Sequence, residues 1–329
     1  SQYLKIVKYC YFMFNLVFVF KDLIMELKTL SFTIIAICLL IHTGCQSQDN
    51  TTDKQTTEKK SKILMNRKPV VAGQFYSGTK KQLNADLENL FSEAKQQSIK
   101  NVSAIISPHA GYVFSGGVAA SSFNQIDPEK KYDHVFVIAS SHSSVFNGAS
   151  IYYLGHYETP LGTVKVDLDL AEKLKNDHDV FTFNSQAHAR EHSLEVQLPF
   201  LQYIMKNEFK IIPILMGTQS HEDCKKVATA LKPYFNENNL FVISTDFSHY
   251  PDYDDACMVD SLTAKAIVSN DPEKLIGTLN SNQKKNVKKL STSLCGWTSV
   301  LTLMYLTENS KKYKYHLIDY KNSGDTKYG

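Results

Sequence analysis

Cysteine is scarce in this chain and badly placed for a cystine scaffold. Of the six cysteines, Cys10, Cys38 and Cys45 lie in an apolar N-terminal stretch, leaving Cys224, Cys257 and Cys295 for everything beyond it. Disulfide-stapled extracellular domains need a far denser set, so that class is excluded, and only a single Cys224–Cys257 bridge stays open for an exported chain. Charge of one sign is also lacking: 36 Lys and Arg against 33 Asp and Glu leave a net charge of +3. Nucleic-acid binding calls for a concentrated basic face. The one dense run, Lys284, Lys285, Lys288 and Lys289, reads as a solvated helix face. Long apolar runs are missing too. Tyr9–Phe20 and Leu30–Ile41 both fall short of the roughly 20 apolar residues of a membrane-spanning helix.

What the N-terminal region does contain resembles a targeting signal. Lys28 supplies positive charge, Leu30–Ile41 an apolar run, and Thr43-Gly44-Cys45 small residues ahead of a cysteine, the order of a bacterial lipoprotein signal. His42 stands where such a signal carries leucine. Residues 46–62 are polar and nearly free of apolar side chains, so they cannot bury enough surface to offset ordering entropy. The reading is an upstream segment (1–24), a lipoprotein-type signal peptide (25–45), a flexible linker (46–62) and one domain (63–329). It implies an exported protein whose only membrane contact is an N-terminal lipid anchor, with a cytoplasmic protein as the alternative.

Beyond residue 63 the pattern is globular, and an apolar share of 43% allows a sizeable core. Short β-branched runs predict buried strands at Ser103–Ser107, His134–Ala139, Ile211–Leu215 and Leu240–Ser244. Helical periodicity alternates with them at Lys80–Gln97, Gly116–Asn124, Leu168–Asn176, Glu191–Met205, Glu222–Tyr234, Asp255–Val268 and Trp297–Leu306. Such alternation predicts an α/β fold, a central mostly parallel sheet flanked by helices. Ala149–Tyr153 and Gly162–Val166 read as an antiparallel excursion.

The polar residues carry the functional signal. Three predicted strands each run into a histidine-bearing loop: Pro108-His109-Ala110-Gly111-Tyr112, Ser140-Ser141-His142-Ser143 and Thr245-Asp246-Phe247-Ser248-His249-Tyr250. In open α/β sheets ligands bind beyond the carboxyl ends of the strands. Small neighbours around His109 and His142 leave backbone room for an ion or substrate. A fourth string, His188-Ala-Arg-Glu191-His192, has the H-x-x-E-H spacing of a zinc peptidase, two imidazoles on one helical face with a carboxylate beside them. Cys295 on residue type alone also fits a small buried hydrophobe at a helix start, and Asp246 with His249 a hydrogen-bonded pair closing a loop.

SPHAGYVFSG, ASSH, AHAREHSLEVQLPFL, STDFSHY and LCGW, with RKPVVAGQFY ahead of them and YKNSGD behind, resemble in order and spacing the Memo family, also called AmmeMemoRadiSam system protein B. The resemblance runs from about Asn66 to the C-terminus. It implies a fold similar to class III extradiol ring-cleaving dioxygenases and metal ligands at His109, His142 and Cys295, with Asp246 and His249 beside them. Cysteine then stands where those dioxygenases place glutamate. A thiolate shifts preference from iron toward softer ions, so the implied cofactor is one transition-metal ion, iron or copper, with zinc as a further option. The resemblance gives His249 the role of general acid/base, with Asp246 orienting it or touching the ion. It places His192, Glu195 and Tyr112 in the pocket wall. The implied activity is metal-dependent redox or dioxygenase-like chemistry on a small molecule. The alternatives are a protein that holds a peptide or metal without turnover, and the zinc peptidase.

Overall fold

The computed structural model describes residues 64–326; the segments read as upstream sequence, signal peptide and linker lie outside them. The main sheet has six strands: β1 (Ala104–Ser107), β2 (His134–Ser140), β3 (Ala149–Ile151), β6 (Phe181–Thr182), β7 (Ile211–Met216) and β8 (Asn239–Ser244). Their order is β1-β8-β2-β7-β3-β6. The first four neighbours run parallel, β3 is antiparallel to β7, and β6 is parallel to β3. Strands β7 and β8 are buried at every position, and β2 at all but its first. Continuous burial of that kind requires cover on both faces of the sheet.

The cover comes from α1 (Lys80–Ser92), α2 (Tyr112–Phe123), α3 (Leu168–Asp177), α4 (Ser185–Arg190), α5 (Leu198–Ile204), α6 (His221–Leu231), α7 (Tyr253–Val268), α8 (Pro272–Lys284) and α9 (Trp297–Thr307). Helix α9 packs on β2 and β8 and against α6, while α2 packs on β1 and against α1 and α5. The expected mostly parallel α/β sheet is therefore the fold observed. No helix among the described residues is long and apolar enough to cross a membrane.

Several local expectations change. Ala149–Ile151 joins the main sheet, whereas Gly162–Val164 (β5) forms a separate two-stranded hairpin with Tyr157–Thr159 (β4). The helix expected from Glu191 starts only at Leu198, after a 3-10 turn at Glu195–Gln197. Pro199 explains the delay: without an N–H it is accommodated in a first helical turn and not in an interior. Helix α8 was missed, although Asp271 caps it by accepting from Lys274 N and Pro272 opens it; Gly277 in its middle weakens the helical signal. The lysine run straddles its end: Lys284 closes the helix, Lys285 caps it, and Lys288 and Lys289 lie in the turn beyond, all exposed. Cys224 and Cys257 are free thiols, so the bridge left open is not formed.

Candidate metal centre

Strands β1, β8 and β2 are adjacent and parallel, with Ser107 opposite Ser244 and Ser244 opposite Ala139. Their carboxyl ends therefore open side by side, and His109, Asp246 and His142 follow within a few residues. Cys295 arrives from 49 positions further along than Asp246 by a backbone clasp. Cys295 N donates to Asp246 O at 3.1 Å, Asp246 N donates to Cys295 Sγ at 3.2 Å, and His249 N donates to Thr292 O at 3.0 Å. Gly296 makes the clasp fit: a Cβ there would lie 2.5 Å from Ser244 O and 2.6 Å from Thr245 Cβ. Cys295 precedes the α9 cap Gly296 and lies outside the helix.

The result is one cluster. Cys295 Sγ lies 3.2 Å from His109 Nε2, and the His109 ring is edge-on to His142 with centroids 4.9 Å apart. His192 joins them, its ring centred 4.8 Å from His142 and 5.4 Å from His109. Two sets of potential ligand atoms, His109/His142/His192 and His109/Asp246/Cys295, each fall within 4.8 Å of one another. His109 is common to both. His109 is buried, while the His142 and His192 side chains remain 30% and 23% exposed, so the cluster is open to solvent on their side. A cavity of about 1080 Å³ lies on the β1 side. Its walls include Asp246 and His249 but none of His109, His142, His192 and Cys295.

Hydrogen bonding fixes which ring nitrogens face inward. Ser244 Oγ donates its one proton to Ser193 O at 2.6 Å and accepts from Gln197 Nε2 at 3.0 Å. His109 Nδ1, 2.9 Å from the same oxygen, must therefore be the donor, since a hydroxyl has a single hydrogen to give. Glu191 does the same for His142. Its carboxylate accepts from His142 N at 2.7 Å and from His142 Nδ1 at 3.0 Å, and it also takes Ser193 N and Oγ. Its Oε1 lies 3.3 Å from His192 Nδ1. Both His109 and His142 are thus held with Nε2 forward. Metal-binding histidines show this arrangement, the far nitrogen donating to an oxygen that sets the tautomer.

The electrostatics agree. Burial alone would raise the Cys295 pKa, but the facing imidazoles of His109, His142 and His249 bring it well below that of an ordinary thiol. Burial opposes charge on His142, yet Cys295 and Glu191 lift its pKa to about 10. Glu191 is held down to about 2 against its own burial, chiefly by His142. His192 goes the other way: burial and the neighbouring His109 lower it to about 4, so it is a neutral ring. The Cys295 thiolate raises His249, whose Nε2 is buried without a hydrogen-bond partner.

Other residues singled out by the sequence lie elsewhere. His188, the first imidazole of the H-x-x-E-H string, is 1% exposed. Its Nδ1 is 2.9 Å from Tyr157 Oη and its Nε2 3.0 Å from Ser150 Oγ. With both nitrogens occupied it cannot pair with His192 on an ion, and Glu191 and His192 fall beyond the end of α4, so the zinc-peptidase arrangement is not formed. Glu195 is buried in an ion pair with Arg67 and accepts from Tyr76 Oη at 2.6 Å. Tyr112 Oη donates to Val196 O at 2.8 Å, and its ring packs on Tyr76 and Phe200. Both brace the floor rather than line the pocket. Asp246 Oδ1 accepts from His109 N at 2.7 Å and Ala110 N at 3.2 Å, so its partner is the His109 loop and not the His249 ring. Sequence reasoning missed Ser244 and the orienting role of Glu191; the E-H pair was the available signal for Glu191.

A family model described as Memo-like protein matches residues 67–328. The chain is 36% identical over 267 residues to a MEMO1 family protein of Nitrosopumilus maritimus, covering 79% of this chain and 94% of that protein. It is 30% identical over 271 residues to MEMO1 family protein MTH_45 of Methanothermobacter thermautotrophicus, covering 79% and 95%. For MEMO1 family protein Ta0237 of Thermoplasma acidophilum the figures are 31% over 261 residues, 79% and 93%. These relatives correct the expected localisation. They are archaeal proteins that this domain spans almost from end to end, so the exported, lipid-anchored placement inferred from a bacterial-type signal does not follow from the family. The motifs from His109 to Cys295, the parallel sheet and these matches agree, and the chain belongs to the Memo family.

Proposed function

We propose that the cluster holds one transition-metal ion on Nε2 of His109, Nε2 of His142 and Sγ of Cys295. The observation that carries this reading is the paired fixing of tautomers: Ser244 and Glu191 each take the Nδ1 proton of one histidine and leave its Nε2 available, that of His109 facing the Cys295 sulfur. A cluster needed only for packing has no use for that arrangement. The donor set, two imidazoles and a thiolate, fits iron or copper, and also zinc. An iron or copper ion held there would supply one-electron chemistry to a small molecule, which is the activity we favour.

The chain's own residues would do the rest. Asp246 holds the His109 loop in place through two backbone N–H groups. His249 is free to take or give a proton at Nε2. The open side at His142 and His192 admits a ligand. A second reading, metal or peptide binding without turnover, is favoured by His192: a third imidazole within reach of the first two would leave fewer positions for a substrate.

Elemental analysis of protein purified without added metal tests the proposal. One equivalent of iron, copper or zinc is expected, absent from His109→Ala and retained in His188→Ala. Loss of the ion from His188→Ala, or its retention in His109→Ala, would overturn it.

A further inference from the structure

The metal-facing side of Glu191 explains how the His142 ring is aimed, but not what aims Glu191. This carboxylate is the residue immediately after a six-residue helix, α4, in a segment of extended backbone. Its side chain serves His142 and Ser193 and lies beside His192. A carboxylate that orients a ligand ring has to be placed within about 0.5 Å, and a short helix end followed by loop has little stiffness of its own.

Arg67 supplies the constraint. Its guanidinium is buried, and every edge of the fork is used. Nε donates to His188 O at 3.2 Å, Nη2 to Glu191 O at 2.6 Å, and Nη1 to Lys68 O at 2.9 Å and to the Glu195 carboxylate. The two carbonyls on Nε and Nη2 come from the last turn of α4 and the residue after it, where backbone acceptors have no partner within the helix. Arg67 is itself anchored. Its N donates to His156 O at 2.7 Å, Glu158 N donates to its O at 2.9 Å, and its guanidinium lies over the Tyr157 ring at 5.4 Å. Glu195 is secured independently by Val70 N, Val71 N and Tyr76 Oη. The fork therefore ties the end of α4 to two fixed points, the β4 hairpin and the Glu195 turn.

We propose that Arg67 is a positioning residue of the metal centre: by gripping His188 O and Glu191 O, it holds the Glu191 carboxylate where it presents His142 with Nε2 forward. The inference rests on the metal-centre reading given above. Lysine cannot substitute, because one ammonium on a flexible stem offers a point charge and no planar fork. It can still neutralise Glu195, which keeps three other donors, so Arg67→Lys removes the grip while leaving the buried charge balanced.

The test is cobalt(II) binding by the full chain, read by titration and by visible absorption, for the parent, Arg67→Lys, Glu191→Gln and the double variant. Cobalt bands report ligand geometry, which loss of stability alone does not change. Arg67→Lys is expected to weaken cobalt binding by about 10–100-fold, the usual cost of losing an orienting partner, and to shift the bands. In the Glu191→Gln background the same change should cost less than about twofold, because residues acting through one another are not additive. Should Arg67→Lys fail to fold, Arg67→Gln combined with Glu195→Gln removes both charges and is judged by the same bands. A variant with a lower melting temperature but parental cobalt affinity and spectrum would overturn the role of Arg67, as would losses that multiply in the double variant. A parent that binds no cobalt, or a His109→Ala variant that binds it like the parent, would instead overturn the metal centre itself.

Discussion

Nε2 of His109 and Sγ of Cys295 face each other at 3.2 Å across 186 positions of sequence. The contact exists because β1 and β8 end side by side and because the segment before α9 is clasped to the loop after β8. A thiolate held against protonated imidazoles in this way either stays an ion cluster or binds a metal that displaces the imidazole protons.

That exchange sets a pH dependence. His142, with its pKa raised to about 10, carries a proton throughout the neutral range, and a metal must displace it. Zinc affinity should therefore rise with pH up to about 10 and fall on acidification, by up to about tenfold per unit for each proton released. Zinc dissociation constants measured between about pH 6 and 9 would check this. A flat profile would mean that His142 is not a ligand.

Gly296→Ala is expected to damage the site without touching a donor. The added methyl would lie 2.5 Å from Ser244 O, so the turn that delivers Cys295 has to move. A stability loss of about 1–3 kcal/mol, typical of overpacking, should accompany loss of bound metal. Thermal melting and elemental analysis of the same sample give both quantities, and an unchanged metal content would show that the clasp is not needed.

His188 predicts an acid limb in the stability curve. Burial, and after it Arg67, hold its pKa to about 3, against about 6.5 in an unfolded chain. Between those values the unfolded state binds the proton and the folded state does not. The contribution is thus complete above about pH 6.5 and is lost as pH falls toward 3. His188→Gln keeps polar groups for Tyr157 and Ser150 and removes the titration. Urea midpoints of this variant should change less than the parent's between about pH 7 and 4. An identical acid dependence would assign that limb to other groups.

Much of this site was legible in sequence for a simple reason. Apolar β-branched runs mark the strands, parallel strands share one carboxyl edge, and His109, His142, Asp246 and His249 each follow such a run. What local pattern could not show was how polar side chains pair across the fold. Ser244 looks like the last residue of a strand, and its importance lies in a carbonyl at Ser193 and an amide at Gln197. His188 and His192 share a helical spacing, yet α4 ends between them and sends one ring into the core and the other into the cluster. Glu195, expected in the pocket wall, is drawn away by Arg67, far upstream in the chain.

The central claim is that one ion sits on two imidazoles and a thiolate, and X-ray absorption at the metal edge of the loaded protein tests it most directly. The account predicts one sulfur scatterer at about 2.3 Å and at least two imidazole nitrogens at about 2.0–2.1 Å for zinc, with the sulfur lost in Cys295→Ser. A shell of nitrogen and oxygen alone in the parent protein would contradict it.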